Sequence, residues 1–370
     1  MQVMQYLNDL PANAQPDVQL VLAFAQPDAY RSRVADLRAA FPNALLAGCS
    51  SAGLIAGEQV DDFPLVATAV QFERCRISHA WVDLTDHQND CQRAGHALAA
   101  QLPHSDLRHV LLFAEGLQVN GSALVSGMLS ALPEGVLVTG GLAGDGERFG
   151  QTFVYCNEQV GSRALLAVGL YGDALQIGHG SQGGWDSFGP ERLITRSEGN
   201  VLYSLDEQPA LELYKRYLGE HASELPAIGL KFPLCLRGPA GKPGVVRAIL
   251  AVNESDGSMT FAGDMPEGTY ARLMRANFER LLDGAAGAAE HSLQSLRGSN
   301  AQLALLISCV GRRVVLGQAV EEEVEAVRAT LGEQPVLCGF YSYGEISPLQ
   351  DTTTCSLHNQ TMTITLFGEA

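Results

Sequence analysis

The feature that most narrows the fold is a repeat. A strand, a helix, a second strand ending in a glycine-bounded loop and a closing strand are written near both ends of the 370-residue chain. At the start, Val18–Ala25 is an apolar, β-rich run. Asp28–Phe41 has helical spacing through Val34, Leu37 and Phe41, and Ala44–Ala47 leads into Gly48-Cys49-Ser50-Ser51-Ala52-Gly53-Leu54-Ile55 before the strand Val66–Phe72. Near the end the order recurs as Leu303–Val310, Glu321–Leu331, Val336–Cys338, Gly339-Phe340-Tyr341-Ser342-Tyr343-Gly344-Glu345-Ile346 and the alternating Thr361–Phe367. Both copies carry Gly-x-x-Ser-x-Gly-x-Ile at the same place. A looser third copy runs through Val110–Ala114, Ser122–Leu132, Val136–Thr139, Gly141-Leu142-Ala143-Gly144-Asp145-Gly146, Thr152–Tyr155 and Ala164–Leu170, with Gly141 and Gly146 at the spacing of the outer pairs. The pattern predicts an α/β protein of repeated β-α-β units. Its glycine loops stand at the carboxyl ends of strands, where open α/β sheets favour ligands, and are expected to collect around a ligand cleft with their N–H groups free.

None of these loops matches a phosphate-binding fingerprint. Between the second and third copies, glycines 178, 180, 183, 184 and 189 mark an unusual loop that contains His179. Pro209–Tyr217 has helical spacing and Glu220–Glu224 is polar, which places a boundary near residue 224 and divides the chain into residues 1–224 and 225–370. Beyond it, Val245–Val252 and Ser258–Ala262 flank an Asp256-Gly257 hairpin turn, Tyr270–Leu282 is expected to be helical, and 284–300 reads as a soft stretch.

Composition removes several function classes. Forty-one acidic against 24 basic residues give a formal charge of −17, which repels phosphate backbones and argues against a nucleic-acid partner. Apolar runs such as Leu303–Val310 are too short to cross a bilayer, and the first ten residues lack the basic and apolar regions of a secretory signal, so the expected compartment is the cytosol, without membrane insertion. The eight cysteines form no C-x-x-C pair and read as small buried hydrophobes.

These strings resemble the FIST family, a sensory module of an N-terminal and a C-terminal part found in bacterial signalling proteins. The resemblance rests on Gly48–Gly53, Gly140–Gly146, Glu198-Gly199-Asn200-Val201-Leu202-Tyr203 with Leu205-Asp206, and Gly339–Ile346 followed by His358-Asn359-Gln360-Thr361. The compact stand-alone form is further similar to nitric oxide sensing haemoproteins of the NosP type. That branch implies haem b, nitric oxide as ligand, and a partner histidine kinase or cyclic di-GMP enzyme in a two-component pathway that controls biofilm.

A haem iron needs an axial ligand facing an apolar cavity, with one side open for nitric oxide. Of nine histidines, His87, His96, His104 and His109 read as solvated, His221 and His291 as linker residues and His79 as structural, which leaves His358 and His179. Folding of the last unit is expected to bring Tyr341, Tyr343, Glu345 and His358 toward one cleft, with His358 the first choice for the haem iron. On an alternating strand His358 and Asn359 point to opposite faces, so only one of them meets the cleft. Cys355-x-x-His358 lacks the second pair that a zinc site requires. The alternative ligand is a small polar metabolite such as an amino acid, held by Ser50, Ser51, Asn359, Arg247 or Arg196 for a carboxylate, and Glu345 for an ammonium. Cys49 and Phe340 stand where a nucleophile elbow needs glycine, so turnover is not expected and the reading is of a receptor without catalytic residues.

Overall fold

The computed structural model describes residues 1–7, 9–238, 244–296, 300–348 and 354–370. Three units share one strand order. The first comprises β1 (Gln2–Tyr6), β2 (Leu20–Ala25), α1 (Pro27–Ala40), β3 (Leu45–Cys49), the hairpin β4 (Leu54–Ala56) and β5 (Gln59–Asp61), and β6 (Leu65–Gln71). The second comprises β7 (Arg76–Asp83), α2 (Cys91–Ala100), β8 (Leu107–Ala114), α3 (Gly121–Ala131), β9 (Leu137–Leu142), the hairpin β10 (Val154–Cys156) and β11 (Gln159–Gly161), and β12 (Ala164–Tyr171).

The third unit opens with β13 (Leu175–Gln182) and is then interrupted. The interruption carries β14 (Trp185–Glu198), β15 (Val201–Leu205), β16 (Gln208–Pro209), α4 (Ala210–Leu218), β17 (Leu234–Leu236), β18 (Val245–Arg247), β19 (Ile249–Asn253), β20 (Ser258–Phe261) and β21 (Tyr270–Ala276). The unit resumes with α5 (Phe278–Ser295), β22 (Leu303–Cys309), α6 (Val310–Leu316), α7 (Glu321–Leu331), β23 (Val336–Ser342), the hairpin β24 (Gly344–Pro348) and β25 (Cys355–His358), and β26 (Met362–Glu369).

Each unit gives its hairpin to a neighbour. The three six-stranded sheets run β1-β6-β2-β3-β10-β11, β7-β12-β8-β9-β24-β25 and β13-β26-β22-β23-β4-β5, so unit two completes the sheet of unit one, unit three that of unit two, and unit one that of unit three. β2 and β3, β8 and β9, and β22 and β23 are the parallel pairs, and the strands around them are apolar on both faces, as doubly covered sheets require. Phe24, Phe113 and Phe340, one from each unit, meet with ring centroids 4.8 to 6.2 Å apart.

The register corrects the reading of the middle copy. Ile55 pairs with Gly339, Tyr155 with Gly48 and Ile346 with Gly140, so Gly140, rather than Gly141, is the counterpart of Gly48 and Gly339. At all three a Cβ would collide with the carbonyl oxygen of the neighbouring central strand, at Ala23, Leu112 or Leu306. Seven residues separate Gly48 from Ile55 and Gly339 from Ile346, but fifteen separate Gly140 from Tyr155, and the extra residues form the segment around Phe149.

Glycines 178, 180 and 184 are explained by a helix, not by a ligand loop. α5 lies directly on β13, and a Cβ at Gly178 or Gly180 would strike the carbonyl oxygens of Ser292 or Ala288. His179 is therefore a strand residue in register with Thr365. The stretch expected to be helical from Tyr270 is the strand β21 as far as Ala276, and the helix begins at Phe278 and runs through most of the stretch read as soft. Residue 224 ends a short 3-10 turn inside the inserted unit, whose core runs from Ile194 to Leu273. Among the described residues no helix is long and apolar enough to cross a membrane.

Candidate functional site

The glycine loops do not line an open cleft; they lock into one another. Ala52 N donates to Tyr341 O at 2.9 Å, Gly144 N to Ser50 O at 3.1 Å and Tyr343 N to Leu142 O at 3.2 Å. Under the corrected register these are three copies of one bond, each running from the loop of one unit to the loop of the next. The N–H groups expected to be free for a ligand are thus used between loops, which satisfies buried backbone at the centre of the fold. Ser50 Oγ accepts from Phe153 N at 2.9 Å, and Ser51 Oγ accepts from Gly53 N at 3.0 Å. Both serines are buried, and neither faces solvent as a ligand contact.

The residues assigned to haem are each engaged by partners within the protein, although Glu345 and His358 are brought opposite one another on one hairpin. Tyr341 donates to Glu323 Oε1 at 2.5 Å within a buried network in which Glu323 also pairs with Arg312 at 2.8 Å and accepts from Ser308 at 3.0 Å. Tyr343 donates to Asp145 and to Gly146 O and stacks on Phe149 with centroids 5.0 Å apart. Glu345 is fully buried and accepts from Ser342 Oγ at 2.6 Å and from Thr361 N and Oγ1 at 3.1 and 3.0 Å. Burial pushes its carboxyl up to about 8, against those hydrogen bonds and the charge of Arg312, so near neutral pH it is a mostly protonated acid and a poor holder of an ammonium.

His358 is in register with Glu345, and its Nε2 lies 3.1 Å from Ser347 O and 3.2 Å from Ser356 Oγ. Burial lowers its pKa to about 4, so the imidazole is neutral and Nε2 is the donor to the carbonyl. His179 has its backbone N on Ser295 Oγ, and burial lowers its pKa. It neighbours His109, which was read as solvated and is fully buried: Nε2 is 3.0 Å from Thr139 Oγ1, the ring meets Phe367 edge-on, and burial lowers the pKa to about 3. As placed, His358, Tyr341 and Tyr343 do not fit a haem ligand set. The candidate axial nitrogen of His358 and the tyrosine hydroxyls are turned onto protein oxygens, whereas an axial ligand must face an apolar cavity.

One part of the alternative set does converge, where the inserted sheet meets the second unit. Arg247 on β18 is 8% exposed, and its guanidinium donates to Asp264 O at 3.2 Å, Leu357 O at 3.1 Å, Val246 O at 3.4 Å and Ser122 Oγ at 3.3 Å. Asn359, buried, donates to Tyr343 O at 3.1 Å and accepts from Ala248 N at 3.3 Å. Arg196 lies elsewhere, stacked over Tyr203.

Three side chains around Arg247 were missed by the sequence reading. Asn120 caps α3 by accepting from Ser122 N and Ala123 N, and its amide donates to Asp264 Oδ1 at 2.6 Å. Ser122 Oγ accepts from Asp264 N at 3.3 Å. An Asn just before a helix is a start signal, and Asn120 could have been found by it. Asp264 could not, because its place depends on a distant turn: Gly199, in the left-handed region at φ +55°, accepts from Met265 N, and Asn200 donates to Phe261 O. That is the structural work of the Glu198-Gly199-Asn200 motif.

The electrostatics single out Arg247. Burial lowers its pKa to about 10, while Asp264 raises it. Among the described residues no carboxylate oxygen lies within 4.0 Å of it, although the still more buried Arg312 has Glu323. A buried cation whose hydrogen bonds go to neutral oxygens, with the Asp264 carboxylate acting on it only from a distance, keeps a desolvation cost that is only partly offset.

Comparison with known proteins gives two family matches that together span most of the chain: the FIST N domain over residues 19–208 and the FIST C domain over residues 210–348. The chain is 24% identical over 350 residues to an uncharacterized protein of Mycobacterium tuberculosis, which covers 90% of this chain and 86% of that protein. It is 25% identical over 246 residues to an uncharacterized protein of Mycobacterium bovis, covering 63% and 61%. A crystal structure of cyanuric acid hydrolase from A. caulinodans aligns over 95% of this chain and 90% of that one, with a TM-score of 0.37 and 9% identity.

Proposed function

The chain belongs to the FIST family of signalling-associated sensor domains, and from that premise we propose that it is a receptor for a small polar metabolite, bound where the inserted sheet meets α3 and the β24–β25 hairpin. The observation that carries this reading is Arg247, a buried guanidinium with hydrogen bonds but no counter-ion within 4.0 Å among the described residues. A ligand carboxylate would supply that counter-ion, and the nearby Asp264 and Asn359 offer polar partners for the rest of the molecule. Ligand binding then favours one placement of the inserted sheet over another, by no more than the ligand's difference in affinity between the two. A partner of the histidine kinase class would read that placement.

Haem and nitric oxide are the weaker reading, because none of the side chains assigned to the cofactor supports it. Two measurements decide between the readings. A thermal-shift screen with amino acids is expected to raise the melting temperature of the intact protein but not that of Arg247→Gln, and protein mixed with haemin is expected to give no stoichiometric Soret band. A Soret band that disappears in His358→Ala, with no response to any amino acid, would reverse the assignment.

A further inference from the structure

The inserted unit has an apolar cleft in which Arg247 takes no part. Phe188 on β14 and Leu234 on β17 are both in register with Leu273 on β21, and Arg192 with Ala271, so these side chains stand on one face of the sheet. α4 closes the other side with Leu213, Tyr214 and Tyr217. The space between is about 360 Å³ counting its open mouth, near the lower end of the roughly 300–1,000 Å³ of small-molecule pockets, and suits one inserted side chain better than a whole ligand. The mouth is irregular. β14 leaves the ladder between Phe188 and Arg192, Gly189 takes a φ of +72°, and residues 187 to 190 are exposed, with Phe188 at 39%.

Two guanidinia flank that mouth. Arg192 lies over the Tyr217 ring, 6.0 Å from its centroid, and pairs with Asp206 at 3.0 Å. Arg275, exposed and on the same face as Leu273, lies over the Phe188 ring at 6.0 Å. Asp186 stands opposite Arg275, but its carboxylate accepts from Arg280 and from Asn277. No carboxylate oxygen lies within 4.0 Å of Arg275 among the described residues, so the rim holds one cation in surplus. We propose that this cleft docks a segment of another protein, with one apolar or aromatic side chain entering between α4 and the sheet and an Asp or Glu beside it meeting Arg275. An exposed aromatic, a narrow apolar slot and a free guanidinium are the parts from which interface anchors are made. Charge directs the acidic segment here: residues 185–277 hold ten of the 24 basic but only twelve of the 41 acidic residues, so the rest of the chain repels it more strongly. The same charge of −17 opposes a second copy as the occupant. The proposal goes beyond the ligand reading and does not rest on it.

The test needs no named partner. A phage library of random twelve-residue peptides is selected on the intact protein, and the enriched peptides are expected to share a Leu, Phe or Trp flanked by Asp or Glu. A fluorescent copy of one such peptide is then titrated by anisotropy. Phe188→Ser and Arg275→Glu, both at exposed positions, are expected to weaken its binding by about tenfold or more while melting temperature stays the same, and added sodium chloride is expected to weaken it in the intact protein. Basic peptides, peptides without a common pattern, no enrichment, or equal binding by both variants overturns the proposal. Sedimentation equilibrium checks the other occupant: a dimer of the intact protein that Phe188→Ser dissociates assigns the cleft to a second copy and also overturns it. The amino-acid thermal shift is expected to be unchanged in both variants, so failure here leaves the receptor reading standing.

Discussion

The Arg247 guanidinium donates to the Leu357 carbonyl at 3.1 Å, tying the inserted sheet to a hairpin that belongs to the third unit by sequence and to the second unit's sheet by pairing. Three parts of the chain therefore meet at one buried cation. From the β24–β25 hairpin the contacts continue through the Tyr343 N–Leu142 O bond to the interlocked loops.

The contrast between the two buried arginines predicts opposite outcomes. Glu323→Gln strips Arg312 of its counter-ion and is expected to cost about 3–5 kcal/mol, measured by urea denaturation, because the guanidinium stays buried and charged. Arg247→Gln removes a charge that has no carboxylate oxygen within 4.0 Å among the described residues, so its loss of stability should be smaller than that of Glu323→Gln while ligand response disappears.

Close approach at the strand centres predicts that Gly339→Ala is severely destabilising, since the added Cβ meets the Leu306 backbone, which cannot retreat within a sheet. Gly57→Ala is the control. Gly57 has a φ of +59° and open space around its Cα, so only the left-handed backbone cost of about 1 kcal/mol applies. Melting temperatures of the two variants should differ widely.

Stability against pH reports Glu345. Its carboxyl is raised to about 8 in the folded chain against about 4.5 in the unfolded one. The folded state therefore holds the proton longer, and the stability this provides is complete below pH 4.5 and lost as pH rises to 8. Glu345→Gln should lack that decline between pH 6.5 and 8 in chemical denaturation.

His358 acts in the opposite sense at lower pH. Its pKa falls from 6.5 to about 4 on folding, so protonation favours the unfolded chain and stability is lost as pH drops from 6.5 toward 4. His358→Gln should flatten that limb, and an unchanged slope would place its cause in other groups.

Hairpin exchange predicts that the two family halves do not fold apart. A fragment ending at residue 209 keeps β4–β5 but lacks β22, β23 and β26, and leaves the edge of β9 without β24. It is expected to be insoluble, with two exposed sheet edges, while the intact chain gives well-dispersed NMR spectra.

Much of the architecture was legible because it is local. The strand runs of the three units and the helical spacing of Asp28–Phe41 and Glu321–Leu331 are patterns of neighbours in sequence and became the expected elements, whereas the twice-written Gly-x-x-Ser-x-Gly-x-Ile, expected as a ligand loop, joins a central strand to an exchanged hairpin. Asn359, expected on an alternating strand with His358, lies instead in the bend after β25, where its amide is turned inward onto Tyr343 O and Ala248 N.

What the amino-acid sequence determined by itself was therefore the α/β class, the three related units and the family. Tertiary structure decided the rest. Whether a glycine serves a ligand or another piece of backbone depends on what packs against it, and at Gly178, Gly180 and the three loops that partner lies far along the chain. The middle copy was misaligned by one residue because its longer insertion is visible only in the pairing of Tyr155 with Gly48. The buried state of His109, the partners of Tyr341 and Tyr343, and the meeting of Arg247 with Asp264 and Ser122 were hidden for the same reason. Burial and charge balance are set by contacts between residues distant in sequence, and no local pattern encodes them.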